Sequence, residues 1–320
     1  MPLKLDPNFA RAIKDLPPPR ESPPVGDVAT RRINVADGLG KLLLQMHTSD
    51  DIETEVFEIK MDNGSTVAVH RFFSKPTKAP TEAASGPAVL HIHGGGYISM
   101  DVDMWSPALK SQVSQTSIQI FSVCYSLAPE APYPTALEEC YATLLWLQMN
   151  AEKYNIDPSR IAVQGESAGG GLAAAVSLLA RDRKLSPPIA KQILIYPMLD
   201  DRNVSANGNL EPFATWSLSD NITAWTAYLG TEPGSNTTSY YAAPARATEL
   251  SGLPITYMDM GELDIFRDEN LSYASRLAAA NISLELHVYP GVPHAFEFIA
   301  PHSYHAQNAM ANRWKALSAL

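Results

Sequence analysis

A serine between glycines follows a predicted strand and could act as a nucleophile. Gly165-Glu-Ser-Ala-Gly169 comes directly after an apolar run that ends at Gln164, and directly before a helix-like segment. In such a turn the central residue takes a strained backbone conformation, and small neighbours let the turn close while its hydroxyl points outward. The bare pattern also occurs by chance in glycine-containing loops, so the strand–turn–helix context carries the inference. We therefore predict that Ser167 is a nucleophile.

A serine hydroxyl is a weak nucleophile at neutral pH, so it needs a base within hydrogen-bond reach and a group that orients that base. His294 follows a predicted strand that ends at Tyr289 and begins a new helical segment. Asp264 follows the preceding predicted strand. These positions predict a triad of Ser167, Asp264 and His294 in that chain order.

Other acidic and histidine side chains near these positions are weaker candidates. Glu262 and Asp268 compete with Asp264, but Asp268 is better suited to pairing with Arg267 or to capping a helix. Further histidines in this half of the chain are expected to pack or to face solvent: His287, His302 and His305.

Acyl transfer also needs donors for the negative oxygen of the tetrahedral intermediate. Three glycines, Gly94 to Gly96, follow an apolar strand, and without side chains they let a carbonyl group approach the backbone. We assign an oxyanion hole to the N–H groups of Gly94, Gly95 and Ala168, and predict that His93 braces the loop. A phosphate-binding loop is the alternative, but no Gly-Lys-Ser/Thr follows.

Two hydrophobic patterns mark the elements that must position these residues: a two-residue alternation, and apolar runs separated by helix-like segments. Residues 56–61 and 66–72 alternate around Asn63-Gly64, which predicts an antiparallel hairpin. Apolar runs then alternate with helix-like segments, which predicts an α/β protein with a mainly parallel central sheet flanked by helices. The predicted later strands cover residues 88–93, 118–125, 160–164, 192–196, 255–260 and 284–289, and the helices include 135–147, 168–180 and 271–280.

The alternation of strands and helices fails in two stretches, which divide the chain into a core and two cap segments. Residues 199–244 are rich in aromatic side chains and are predicted to form an inserted cap segment over the carboxyl ends of the strands. Residues 1–50 are predicted to be N-terminal cap helices, which leaves 51–198 and 245–320 as the core.

One of the N-terminal helices is predicted in detail. Asp27 can cap its start, and Arg31-Arg32 is expected to be solvated. A single apolar stripe is predicted from the helical spacing of Ile33, Ala36, Leu39 and Leu43.

Composition excludes several classes of protein. The 320 residues carry 24 Lys and Arg against 34 Asp and Glu, a net charge of −10, which disfavours nucleic acid as a partner. No apolar stretch has the length of a membrane span, and the N-terminus lacks the apolar stretch of a signal peptide. We therefore expect a cytoplasmic protein, in which the Asn-x-Ser/Thr triplets occur by chance.

The chain resembles the hormone-sensitive-lipase-like branch of the α/β-hydrolases, which carry an HGGG motif before a GDSAG-type elbow. The matching positions are Asp264, His294 and the segments 93–96, 125–130 and 165–169. The resemblance implies an α/β-hydrolase fold with a helical cap built from the N-terminal helices and the insertion. Two departures leave the catalytic groups intact: Glu166 replaces the usual aspartate, and Ile265-Phe266 replaces Pro-Leu.

The resemblance implies an esterase, and the predicted triad favours a serine carboxylesterase for short- to medium-chain esters, without metal or organic cofactor. A specialised lactone or amide hydrolase, an acyltransferase and a non-catalytic receptor remain alternatives. A small apolar ester is the expected partner, and members of this branch often form homodimers through an edge strand and the last helix. Aromatic and methionine side chains predict an apolar substrate pocket: Tyr97, Met100, Trp105, Phe213 and Trp216. Each of these could instead pack the cap onto the core.

Overall fold

One eight-stranded sheet organises the molecule, in the order β1-β2-β4-β3-β5-β6-β7-β8. In this computed structural model the described residues are 2–16, 22–46, 48–61, 64–75 and 85–320. The strands are β1 Ile52–Lys60, β2 Thr66–Ser74, β3 Gly86–Ile92, β4 Gln119–Cys124, β5 Ile156–Glu166, β6 Lys191–Ile195, β7 Ile255–Gly261 and β8 Leu284–Tyr289. The helices are α1 Pro7–Ala12, α2 Val28–Val35, α3 Lys41–Leu44, α4 Val102–Thr116, α5 Thr135–Met149, α6 Ala168–Asp182, α7 Leu218–Leu229, α8 Arg267–Ala279, α9 Phe296–Ile299 and α10 Tyr304–Ser318.

The predicted hairpin is confirmed. β1 pairs antiparallel with β2 from Ile52 opposite Ser74 to Lys60 opposite Thr66. β2 then pairs antiparallel with β4. Of the two predicted turn residues, Asn63 lies outside the described residues.

The remaining strands pair in parallel, and the predicted α/β fold with a mainly parallel sheet is confirmed. β3 is nearly continuously apolar, and β5 is buried from Ile161 to Glu166, because helices cover both faces of the sheet. The carboxyl ends of β5, β7 and β8 lie along one edge, so the turns that follow them come together.

The N-terminal helix region differs from its predicted pattern. A wide π-helical turn, Ala36–Gly40, separates α2 from α3 and rotates the later residues around the helix axis. Leu43 is consequently buried, whereas Ile33 is 61% exposed, so the single apolar stripe was wrong.

The expectation that Arg31 is solvated was also wrong, since its side chain is 2% exposed. Its guanidinium donates to Asp220, to Ser219 and to main-chain carbonyls. A buried arginine is tolerated because each of these acceptors satisfies one of its donors.

Residues 2–16 pack on the C-terminal part of the core. Phe9 is 1% exposed and lies in an apolar cluster with Tyr289, Val292 and Phe296. The Asp6 N–H donates to the Gly291 carbonyl at 2.8 Å. This stretch therefore supports the turn that precedes His294.

Segment 199–244 contains one long helix, α7, which begins at a capping box formed by Ser217 and Asp220. Near the start of the segment, the buried Asp201 carboxylate accepts hydrogen bonds from Gly234 N–H and from the Arg246 guanidinium. These bonds tie both ends of the segment together. In the parts of the chain that the structure describes, no helix is long and apolar enough to cross a membrane.

Candidate active site

Ser167 lies in a sharp turn between β5 and α6, with φ 56° and ψ −120°. This conformation is rare for a residue with a side chain and depends on close packing around it. A Cβ atom at Gly165 would lie 2.2 Å from the Gly169 carbonyl oxygen, and one at Gly169 would lie 2.0 Å from the Ile92 oxygen. The glycines on either side of the serine therefore allow the turn to pack against itself and against β3.

The structure brings the three predicted triad side chains together. His294 Nε2 lies 3.0 Å from Ser167 Oγ, and His294 Nδ1 lies 2.6 Å from Asp264 Oδ2. Asp264 is 1% exposed, whereas Ser167 and His294 are 7% and 8% exposed. The carboxylate is thus screened from water, while the serine and the imidazole keep a small opening to solvent.

Neighbouring groups hold the acid and the base in place. The Phe266 N–H donates to Asp264 Oδ1 at 2.9 Å, which leaves the other oxygen facing the imidazole. The rings of Tyr196 and Phe266 meet the His294 ring edge to face, with centroids at 4.4 and 5.2 Å. The imidazole is therefore fixed in its plane, and its Nε2 atom points at the serine.

The two rejected acids have other partners. Glu262 accepts a hydrogen bond from the Gly291 N–H, and Asp268 pairs with the neighbouring Arg267. Neither of them has a hydrogen bond to His294 among the described residues.

The glycine turn after β3 lies next to the serine. A Cβ atom at Gly94 would be 3.5 Å from Ser167 Cβ, and Gly95 has φ +124°, a conformation that favours glycine. Within the described part of the chain, the N–H groups of Gly94, Gly95 and Ala168 donate to no protein acceptor. They are thus available to a ligand oxygen beside Ser167.

His93 holds this turn. Its Nδ1 lies 2.8 Å from the Gly94 carbonyl, and because a carbonyl can only accept, Nδ1 carries the proton. Burial lowers the pKa of His93 to about 4, so the ring is neutral at pH 7. A neutral, buried ring with this bond matches the predicted bracing position.

Glu166, the departure from the usual aspartate, points under the turn. Its carboxylate accepts hydrogen bonds from His91 Nε2 at 2.8 Å and from Gln164 at 3.0 Å. Burial raises its pKa, but the charge of His91 and these bonds more than offset that effect, so the pKa lies below its ordinary value. The extra methylene of glutamate is thus accommodated by partners on β3 and β5.

The predicted pocket residues lie in different surroundings. Trp216, in segment 199–244, lies against Gly96, where a Cβ atom would meet its ring at 2.5 Å. Met100 packs against Gly95, and Trp105 is buried against His91 and Phe298. Tyr97 is buried too, with its hydroxyl on the Met198 carbonyl, and Phe213 is partly exposed in a short helical turn. Trp105, Met100 and Trp216 thus each lie beside one glycine of the turn, and Trp216 is the one of these three that comes from segment 199–244.

Two contacts at the site were not predicted from sequence. Thr215 Oγ donates to the His294 carbonyl at 2.8 Å, and the Tyr125 hydroxyl donates to the His93 carbonyl at 2.9 Å. Thr215 lies in an irregular segment, and no sequence pattern singled it out. Tyr125 begins segment 125–130, which matches the family resemblance, and its place directly after β4 could have indicated its nearness to the end of β3.

Among the described residues, no group of three or more His, Cys, Asp or Glu side chains is placed to hold a metal ion. What the arrangement can do by itself is activate a hydroxyl and stabilise a negative oxygen beside it.

The comparisons with known proteins agree on one family. A family model described as alpha/beta hydrolase fold matches residues 89–298. Carboxylesterase NlhH of Mycobacterium tuberculosis is 36% identical over 217 residues, which are 66% of this chain and 66% of that protein. Esterase LipI of the same species is 32% identical over 247 residues, 76% of this chain and 75% of that protein. Among solved structures, a bacterial heroin esterase superposes with a TM-score of 0.88 and 34% identity, covering 99% of this chain and 98% of that one.

Proposed function

The chain belongs to the alpha/beta hydrolase fold family, and we propose that it is a serine carboxylesterase acting on short- to medium-chain carboxylic esters. The observation that carries the proposal is the continuous line of hydrogen bonds from Ser167 through His294 to Asp264. The names of its relatives, carboxylesterase and esterase, support the same class of substrate.

In the first half of the reaction, Ser167 Oγ attacks the acyl carbon while His294 Nε2 takes the hydroxyl proton. Asp264 stabilises the imidazolium that forms. The carbonyl oxygen becomes negative and accepts hydrogen bonds from the free N–H groups of Gly94, Gly95 and Ala168. His294 then gives its proton to the leaving alcohol, and an acyl-enzyme remains.

In the second half, a water molecule takes the place of the alcohol. His294 removes its proton as it attacks the acyl carbon, and the same N–H groups stabilise the second tetrahedral intermediate. Collapse of that intermediate releases the carboxylic acid, and the proton returns from His294 to Ser167 Oγ.

The surroundings favour a small apolar acyl or alcohol group. Trp216 of segment 199–244 lies over Gly96, and Met100 packs beside Gly95. We include Tyr97, Trp105 and Phe213 as supports of this pocket. A lactone, an amide or transfer to an alcohol would use the same groups, so the assay must compare substrates.

The test is a series of p-nitrophenyl esters from acetate to palmitate, assayed with the wild type and Ser167→Ala. We expect a maximum at short or medium chains that disappears in the variant. Ser177→Ala is the matched control, because the hydroxyl of this buried serine donates to the Ala173 carbonyl within α6. Wild-type turnover by Ser167→Ala would refute the proposal, as would failure of both the ester series and fluorophosphonate labelling of Ser167.

We also propose a homodimer that pairs through β8, the last strand of the sheet. Leu286 and Val288 lie on one face of that strand and are 37% and 39% exposed. Sedimentation should show a dimer for the wild type and a monomer for Leu286→Glu, and a monomeric wild type would contradict this assembly.

A further inference from the structure

Side chains hold three successive carbonyl groups in the glycine turn. The His93 carbonyl accepts from the Tyr125 hydroxyl at 2.9 Å. The Gly94 carbonyl accepts from His93 Nδ1 at 2.8 Å, and the Gly95 carbonyl accepts from the Ser99 hydroxyl at 2.8 Å. The peptide groups that carry the N–H of Gly94, Gly95 and Gly96 are thus each held at their carbonyl oxygen.

A planar peptide group transmits this constraint. Because the C=O of one residue and the N–H of the next lie in one rigid plane, fixing the oxygen fixes the direction of the hydrogen. The Tyr125 hydroxyl therefore sets the direction of the Gly94 N–H. That N–H donates to no protein acceptor among the described residues, and Gly94 lies against Ser167.

We propose that Tyr125 is a positioning residue for the oxyanion hole, whose hydroxyl aims the Gly94 N–H at the oxygen that becomes negative beside Ser167. This inference rests on the proposed ester hydrolysis. It adds a residue, outside the triad and the glycine turn, that acts through the backbone and not by touching the substrate.

The surroundings of Tyr125 suit this purpose. It follows β4, which pairs in parallel with β3, so the ends of the two strands lie side by side. The residue is 3% exposed, and its ring stacks on His93 with centroids 4.2 Å apart and an angle of 15°. Burial raises the pKa of the hydroxyl well above its ordinary value, so it stays protonated and can only donate to this carbonyl.

Removal of the hydroxyl should affect the transition state more than substrate binding. The ester carbonyl is nearly neutral in the bound state and carries a full negative charge in the tetrahedral intermediate. A misdirected Gly94 N–H therefore lowers kcat while KM changes little. We expect a loss of about 10- to 100-fold in kcat, at or below the range measured for loss of a whole oxyanion donor.

Tyr125→Phe tests this with one atom removed and the ring stacking kept. Tyr228→Phe is the matched control: Tyr228 is also buried and stacked, on Tyr97 at 4.0 Å, but its hydroxyl has no partner within the described residues. We would measure kcat and KM on p-nitrophenyl acetate, and the inhibition constant of a trifluoromethyl ketone that forms a tetrahedral adduct with serine. Active-site titration with a fluorophosphonate refers each kcat to folded, reactive protein, so partial unfolding of a variant does not distort the comparison.

The expected result is a lower kcat, a similar KM and weaker ketone binding for Tyr125→Phe, with Tyr228→Phe close to the wild type. An unchanged kcat, or equal losses in both variants, would overturn the inference. Ser167→Ala is assayed in parallel: if it is inactive while Tyr125→Phe is fully active, only the role of Tyr125 fails. If Ser167→Ala is itself active, the proposed function fails.

Discussion

Arg31 and Asp220 form a shielded ion pair across 189 residues of chain, with Arg31 Nε 2.8 Å from Asp220 Oδ1. The same guanidinium donates to the carbonyls of Pro23, Pro24 and Asp27. The Arg31 side chain therefore holds the N-terminal segment together and also ties it to the first turn of α7. Because Trp216 lies just before that helix, this pair also affects what covers the glycine turn.

We predict that Arg31→Met lowers the free energy of unfolding by about 3–5 kcal/mol, since it leaves a partly buried carboxylate and several carbonyls without their donor. Urea unfolding checks this. Arg183→Ala is the control, because Arg183 pairs with Glu138 where both side chains are 43% exposed, and such pairs contribute at most about 1 kcal/mol. Equal losses in the two variants would contradict the prediction.

Local patterns explain why much of the fold could be predicted. The alternation in β1 and β2 and the apolar runs of β3 to β7 follow from burial on one or two faces. Arg31 shows where this reasoning ends, because its partners Ser219 and Asp220 are distant in sequence. The stripe through Ile33 failed because a single wide turn changes the helical period without leaving a clear signal in the sequence.

The same distinction applies to the candidate site: its three triad side chains could be predicted from sequence, but the groups that orient them could not. Ser167, Asp264 and His294 each follow a strand, so topology alone predicts that they meet at one edge of the sheet. The groups that orient them are not predictable in that way. Thr215 and Tyr125 act through carbonyls of His294 and His93, and a main-chain acceptor has no residue type that a sequence could show.

Asp264→Asn should lower kcat by about 10³- to 10⁴-fold with little change in stability. An amide in this position favours the wrong imidazole tautomer, as in the serine protease triad. Asp268→Asn is the control, since that carboxylate is exposed and pairs with Arg267. Ester turnover and fluorophosphonate labelling rates should both fall for the first variant and persist for the second. The reverse pattern would make Asp268 the acid.

His93 should make stability depend on pH. Its pKa of about 4 reflects burial first, and the hydrogen bond to Gly94 and the charges of Asp101 and Glu166 offset that only in part. In the unfolded chain His93 binds its proton near pH 6.5. The contribution of the neutral ring to the free energy of unfolding is therefore complete above that pH and is lost as pH falls toward 4. Between pH 7 and pH 5 the wild type should lose about 2 kcal/mol more than His93→Phe in its free energy of unfolding. Urea unfolding curves at the two pH values give both differences, and parallel losses would contradict the shifted pKa.

Trp216 and Thr215 join segment 199–244 to both halves of the candidate site. Thr215 holds the His294 carbonyl, and the ring of the next residue, Trp216, lies on Gly96. Replacing the ring with a methyl group should open space for longer acyl chains, and we expect Trp216→Ala to move the optimum of the p-nitrophenyl ester series upward by several carbons.

The gain for the longer esters should be about tenfold in kcat/KM, the lower end of what one accommodated methylene group contributes in an apolar pocket. Trp216→Phe should give an intermediate profile. Trp146→Ala is the control, because Trp146 packs on Phe57 and Tyr154 away from the triad, and its loss removes the same volume without changing the pocket. A profile that stays fixed in Trp216→Ala, or moves equally in Trp146→Ala, would mean that Trp216 packs the segment onto the core and does not limit the substrate.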